Sequence, residues 1–97
     1  MEKMKIAIIG QGRSGRDIHG RFFKSENNTF CDVVAVVELD EQRRNRALEE
    51  YPGCKVYTDY QELFSRTDID LVVNASFSDM HYPITKDLLK HGFNVVV

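Results

Sequence analysis

Cysteine is scarce in this chain, a long apolar run is missing, and neither sign of charge dominates. The only cysteines in 97 residues are Cys31 and Cys54. They border apolar runs and form no Cys-x-x-Cys pair, which excludes a disulfide scaffold and reads as small buried thiols. No window reaches the roughly 18 consecutive apolar residues of a membrane span. The first apolar run, Ile6 to Ile9, is too short for a secretory signal and stops at Gly10, so a cytoplasmic protein is expected. Thirteen basic against fifteen acidic residues give a net charge of -2, which argues against a nucleic-acid partner. Arg43, Arg44 and Arg46 are a local basic cluster, but Glu41, Glu49 and Glu50 balance it, and it reads mainly as a solvated helix face. The three histidines, His19, His81 and His91, are scattered, so no metal site is expected. With no linker, low-complexity tract or short repeat, one domain accounts for the chain.

What is present is an alternation of short apolar runs with amphipathic segments. Lys5 to Ile9, Val33 to Val37, Lys55 to Thr58, Leu71 to Ala75 and Asn94 to Val97 read as five strands. The first is nearly all apolar and the second continuously so, which suits interior parallel strands covered on both faces. A helical period starts near Arg13, with Ile18, Phe22 and Phe23 on one face, and Ser25 to Thr29 is a polar loop. Asp40 is placed to cap a second helix whose apolar side is Ala47, Leu48 and Tyr51, ended by Pro52-Gly53. Asp59 and Glu62 have capping-box spacing for a third, anchored by Leu63 and Phe64. Pro83 fits the first turn of a fourth, begun by His81, with Ile84, Leu88 and Leu89 inward and Gly92 closing it after His91. The order βαβαβαβαβ implies an α/β fold, a Rossmann-type doubly wound parallel sheet with helices on both faces.

The strongest chemical signal is Gly10-Gln11-Gly12-Arg13-Ser14-Gly15, a G-x-G-x-x-G string that follows an apolar strand and opens a helix. Gly10 permits the tight turn. Gly12 removes a Cβ that would block a pyrophosphate, and Gly15 lets helix and strand approach. The helix N-terminus offers N–H groups and partial positive charge to the phosphates. Arg13 either contacts phosphate or points to solvent. A Lys-Ser/Thr phosphate loop of the ATPase type is excluded by the spacing. His19, on the same helix, reads as structural.

Glu38 ends the second strand, where a carboxylate accepts hydrogen bonds from an adenosine ribose diol and repels a 2′-phosphate. With Leu39 following, NAD is favoured over NADP, while Arg43 and Arg44 keep NADP open. In a doubly wound sheet the ligand lies outside the carboxyl ends of the strands at the reversal of strand order. That places Asn74, Ala75, Ser76 and Phe77 near the cofactor: the small residues leave room, and Phe77 packs near the adenine or its ribose. His81 touches the nicotinamide half, caps a helix or meets a domain interface. The candidate cofactor residues are thus Gly10 to Gly15, Glu38, Leu39, Arg43, Asn74 to Phe77 and His81.

Taken in order, these stretches resemble the N-terminal domain of the glucose-fructose oxidoreductase/inositol dehydrogenase (Gfo/Idh/MocA) family. The likeness is carried by Lys5 to Gly15 with His19, by Val33 to Asp40 with Arg43, by Val56 to Leu63, and by Asp70 to Ser76 running on to His81 and to Gly92 to Val97. Two places depart from the family pattern. Ser76-Phe77 stands where Thr-Pro is common, and Ser78 and Asp79 stand where an Asn is common. Glu38 replaces the more frequent Asp.

The resemblance implies a two-domain NAD(P)-dependent enzyme that moves hydride between the cofactor and a hydroxyl carbon of a sugar, polyol or similar molecule. Its catalytic Lys, in a Glu-Lys-Pro segment, and its later His would fall beyond Val97. Residues 1–97 are therefore expected to form a dinucleotide-binding domain cut before the catalytic segment and the C-terminal substrate domain, binding cofactor without catalysing. A dinucleotide-sensing module is the other reading, because fold does not dictate function. The apolar strand at Val95 to Val97 predicts self-association.

Overall fold

The computed structural model describes residues 3–12 and 30–97. Arg13, Ser14, Gly15 and His19, with the expected first helix and the loop at 25–29, lie outside those residues. Five strands form one parallel sheet: β1 (Met4–Ile9), β2 (Cys31–Val37), β3 (Lys55–Tyr57), β4 (Leu71–Asn74) and β5 (Val95–Val96). Their order is β3-β2-β1-β4-β5. The direction of winding reverses at β1, which pairs with β2 on one side and β4 on the other. That is the fork at which a doubly wound sheet opens a crevice.

Successive β1 side chains fall on opposite faces, as the strand period requires. Ile6 and Ile8 join Val33, Val36, Ala47, Tyr51, Cys54 and Val73 on one face. Ala7 and Ile9 join Ala35, Val37, Leu63, Val72, Ile84 and Leu88 on the other. Both faces are buried, which is why β1 reads as a continuous apolar run rather than an alternation. Val33 and Val36 share a face although three positions apart, because β2 carries a bulge. Ile6 pairs with Val33 and Ala7 with Ala35, so Val34 has no partner on β1. The extra residue inverts the phase of the rest of the strand. Arg66 Nη1 donates to the Val34 carbonyl at 3.2 Å, and Arg66 Nε is held by Asp68 Oδ1 at 2.9 Å.

Helix α1 (Glu41–Glu50) is capped by Asp40, whose carboxylate accepts from the amides of Gln42 and Arg43. Ala47 is its only buried residue, and Leu48, expected inside, is 43% exposed. A face so poor in large apolar groups is filled by Tyr51 and Cys54 just beyond it, both buried. Burial raises the pKa of the Cys54 thiol. The Asp59/Glu62 capping box forms, but the helix it starts (Tyr60–Ser65) is 3-10 throughout. Six residues between a cap and the extended Arg66 leave no room for further turns. Tyr60 Oη donates to Asp87 Oδ2 at 2.7 Å, tying that segment to helix α2 (Ser78–Lys90) and raising the phenol's pKa.

Helix α2 begins earlier than its sequence suggests. His81 sits one turn inside it, and Pro83 lies within the helix rather than in its first turn. Pro83 and Asp79 are on the solvent face, so the carbonyl that a proline leaves without its helical donor can be hydrated. Ile84 and Leu88 are buried as expected, whereas Leu89 is exposed. Gly92 takes φ +87° beyond the His91 cap. Among the described residues no helix is long and apolar enough to cross a membrane.

Candidate functional site

The carboxyl end of β1 is bound to both neighbours. Gly10 N–H donates to Val37 O at 2.8 Å, and Ala75 N–H donates to Ile9 O at 2.9 Å. Gly10 has φ +93°, and a Cβ built there would lie 2.6 Å from the Ala75 carbonyl oxygen. Glycine is therefore required by two independent constraints, backbone conformation and the approach of the β4 loop.

From this fork opens a cleft of about 560 Å³, within the roughly 300–1,000 Å³ of small-ligand sites. Of the residues singled out from sequence, Gly10, Gly12, Glu38, Leu39, Arg43, Ala75, Ser76, Phe77 and His81 line it. Ile9, Val37, Thr58, Asp59, Tyr60, Met80 and Ile84 complete the described lining. The structure thus brings together the ends of β1, β2 and β4 and the first turns of α2. Leu39 and Phe77 stand at the rim, 82% and 79% exposed. Among the described residues, a Cβ on Gly12 would approach only the Arg43 guanidinium, at 3.5 Å. The loop is bare where it faces the cleft, the shape a pyrophosphate needs to meet backbone amides.

Gln11 and Asn74 do not face the cleft. Both are buried, and each is used by the scaffold. Asn74 Nδ2 donates to the His81 carbonyl at 3.2 Å and to Thr85 Oγ1 at 3.0 Å. Its Oδ1 accepts from Ser76 N at 3.2 Å and Ser76 Oγ at 2.6 Å. One amide thereby locks the β4 loop against α2 and fixes where Ser76 and His81 stand. Gln11 Nε2 donates to the Gly10 carbonyl at 3.2 Å, and its buried Oε1 has no hydrogen-bond partner among the described residues.

Glu38 is placed at the mouth of the cleft and is already engaged. Its Oε1 accepts from the Gln11 amide and its Oε2 from the Asp40 amide, each at 2.8 Å. Arg43 Nη1 stands 3.9 Å from Oε1. A carboxylate has about four lone-pair sites, and these two amides among the described residues use two of them. The sequence pointed to the residue and to a ligand role. Its second duty, bracing the glycine loop, is a contact between segments 27 positions apart.

The arginine cluster is partly the solvated face its composition suggested, with Arg43 exposed, but Arg44 and Arg46 are half-buried. Arg44 Nη1 donates to the carbonyls of Glu38 at 2.9 Å and Leu39 at 2.8 Å, and Arg46 Nη2 donates to the carbonyl of Gln11 at 2.8 Å. Arg43, Arg46, Ala47 and Glu50 lie at i, i+3, i+4 and i+7, one face of α1. Ala47 is the buried member of that face, Arg46 and Glu50 are half-buried beside it, and Arg43 is exposed. The signal was this spacing around a small residue, whereas charge balance alone pointed outward.

The geometry has counterparts among known proteins. Residues 4–97 match the oxidoreductase family with an NAD-binding Rossmann fold, Gfo/Idh/MocA. The chain belongs to that family. Inositol 2-dehydrogenase of Arthrobacter sp. (strain FB24) is 32% identical over 83 residues, covering 86% of this chain and 24% of the relative. Glycosyl hydrolase family 109 protein 3 of Phocaeicola vulgatus is 32% identical over 108 residues, covering 100% of this chain and 19% of the relative. The solved scyllo-inositol dehydrogenase of Lactobacillus casei, with bound NAD(H) and scyllo-inositol, superposes with a TM-score of 0.85 at 26% identity. That match covers 97% of this chain and 27% of the other. The chain spans about a quarter of the length of such relatives. What it comprises is the family's NAD-binding Rossmann domain, its glycine loop and cleft at the sheet's reversal point.

Proposed function

We propose that this domain holds NAD for a dehydrogenase that oxidises a hydroxyl carbon of an inositol, a sugar or a similar polyol. The observation that carries the reading is the juxtaposition of the bare Gly12 backbone with the Glu38 carboxylate at one cleft mouth. Gly10 and Gly12, with Arg13, Ser14 and Gly15 outside the described residues, would receive the pyrophosphate. Glu38 would accept the adenosine ribose hydroxyls, and Leu39 and Phe77 would flank the adenine half. Ala75 and Ser76 leave space along the chain of the cofactor, and His81 stands toward its nicotinamide half. Arg43, beside Glu38 in the lining, is the group through which a 2′-phosphate would be tolerated. When bound, NAD supplies the hydride acceptor. The domain's own task is to fix its position, and no residue of this chain is assigned to proton transfer.

The polyol would be held by parts of the protein outside this chain. The hydrolase relative shares the domain to the same degree as the dehydrogenase, and fold does not set the net reaction. Accumulation of reduced nicotinamide when the intact protein receives NAD and a polyol supports the dehydrogenase. Turnover of a glycoside without it supports the hydrolase.

The cofactor assignment is tested by calorimetric titration of NAD and NADP into the wild type and Glu38→Ala. NAD should bind the wild type more tightly than NADP. Glu38→Ala should weaken both, because the Gln11 amide loses its acceptor, and weaken NAD by about tenfold more, one charged hydrogen bond's worth. Equal losses would remove Glu38 from the ribose.

A further inference from the structure

The Gln11 peptide group is gripped at both ends. Its N–H is accepted by Glu38, a residue assigned to the ligand, and its C=O accepts from Arg46, which is not among the cleft-lining residues. In a trans peptide the C=O of one residue and the N–H of the next point in opposite directions. A Gln11 carbonyl drawn toward α1 therefore turns the Gly12 N–H away from α1, and Gly12 is the residue that lines the cleft. Arg46 is itself steadied by Glu50 one turn on, with Nε 3.6 Å from Oε1. Without Arg46 the Gln11 carbonyl would lose its donor among the described residues, and rotation of the 11–12 peptide would become easier. Rotation would present a carbonyl oxygen to the place where phosphate oxygens must sit.

We propose that Arg46 is a positioning residue for dinucleotide binding. It holds the Gln11 carbonyl on the far side of the glycine loop, so that the Gly12 amide is offered to the pyrophosphate. Arg44 does the corresponding work at the other lip, bridging the carbonyls of Glu38 and Leu39. The inference rests on the dinucleotide reading of the cleft and adds a residue that never touches the ligand.

The test is a ladder of ligands in the intact protein: adenosine followed by ligand-observed NMR, and ADP and NAD by calorimetry. Arg46→Ala should weaken ADP and NAD by about tenfold, as loss of a charge-assisted bond would, and leave adenosine within about twofold. Arg46→Lys retains the charge and one donor and should restore affinity to within about threefold of the wild type. A general loosening of the fold would lower adenosine, ADP and NAD alike, and that result overturns the positioning role. So does wild-type NAD affinity in Arg46→Ala. If Arg46→Ala does not fold, Arg46→Met decides, since it keeps the packed stem and removes every donor: it must weaken ADP and NAD with adenosine unchanged, and wild-type NAD affinity refutes the proposal. Wild-type protein that binds neither ADP nor NAD refutes the dinucleotide reading and the inference with it.

Discussion

Gly10 and Gly12 are two residues apart and play separable parts. Gly10 is structural: its positive φ and the 2.6 Å approach of the Ala75 carbonyl leave no place for a side chain. Gly10→Ala should cost about 3 kcal/mol, combining left-handed strain with overpacking against backbone. Gly12 lines the cleft, and among the described residues a side chain there would meet only Arg43. Gly12→Val should keep the melting temperature within a few degrees, as surface substitutions usually do, while NAD affinity disappears. Paired melting curves and titrations check both. A Gly12→Val protein that binds NAD normally would displace the pyrophosphate from this loop. At this scale, glycine placement and the carboxylate at Glu38 were legible because each answers to a local rule of strand end and turn. Arg46 was not. Its partner is 35 residues away, and composition near it suggested only a solvated charge balance.

At the scale of elements, the sheet and its apolar strands followed directly from the sequence, since burial on both faces leaves runs without alternation. The boundaries of the helices did not. The preference of proline for a first turn placed the start of α2 too late, whereas the exposed face of a helix accepts Pro83 in its interior. The earlier start matters for the site, because Met80 and His81 thereby become part of the cleft wall. The bulge at Val34 was also invisible, since an inserted residue changes register without changing composition. Arg66 and Asp68 accommodate it. Arg66→Ala should cost about 1–2 kcal/mol by leaving the Val34 carbonyl without its donor. The hydrogen bond from Arg66 lowers the Asp68 pKa below the ordinary carboxylate value. The stability this contributes is present above the unfolded-chain value, about 3.9, and is lost as pH falls through the lower folded value. Denaturation between about pH 5 and 2 should therefore show a shallower acid limb in Arg66→Ala than in the wild type. Identical limbs would show that the pair does not couple folding to protons.

Across the whole molecule, the described cleft is chemically lopsided. Its polar and charged groups, Glu38, Arg43, Thr58, Asp59 and the Gly10 and Gly12 backbone, gather beyond the ends of β1, β2 and β3 and at the start of α1. The wall made by β4 and α2 is Ala75, Ser76, Phe77, Met80 and Ile84, with His81 as its one ionisable group. Charge-assisted bonds are the strong ones, so most of the affinity this domain supplies should come from the adenosine and pyrophosphate half of the cofactor. The nicotinamide half meets a mostly apolar wall here and would depend on the remainder of the protein, since this chain is about a quarter of its relatives' length. ADP-ribose should therefore stabilise the domain nearly as well as NAD. At a hundredfold excess over Kd a ligand adds about 2.7 kcal/mol. For a domain of this size that amounts to a rise of about 10–20 °C in its melting transition. Thermal unfolding with each ligand at the same multiple of the Kd for NAD checks the asymmetry. ADP-ribose within a few degrees of NAD is the expected result. A much smaller shift with ADP-ribose would mean that the nicotinamide end is anchored within these residues, with His81 the first group to substitute.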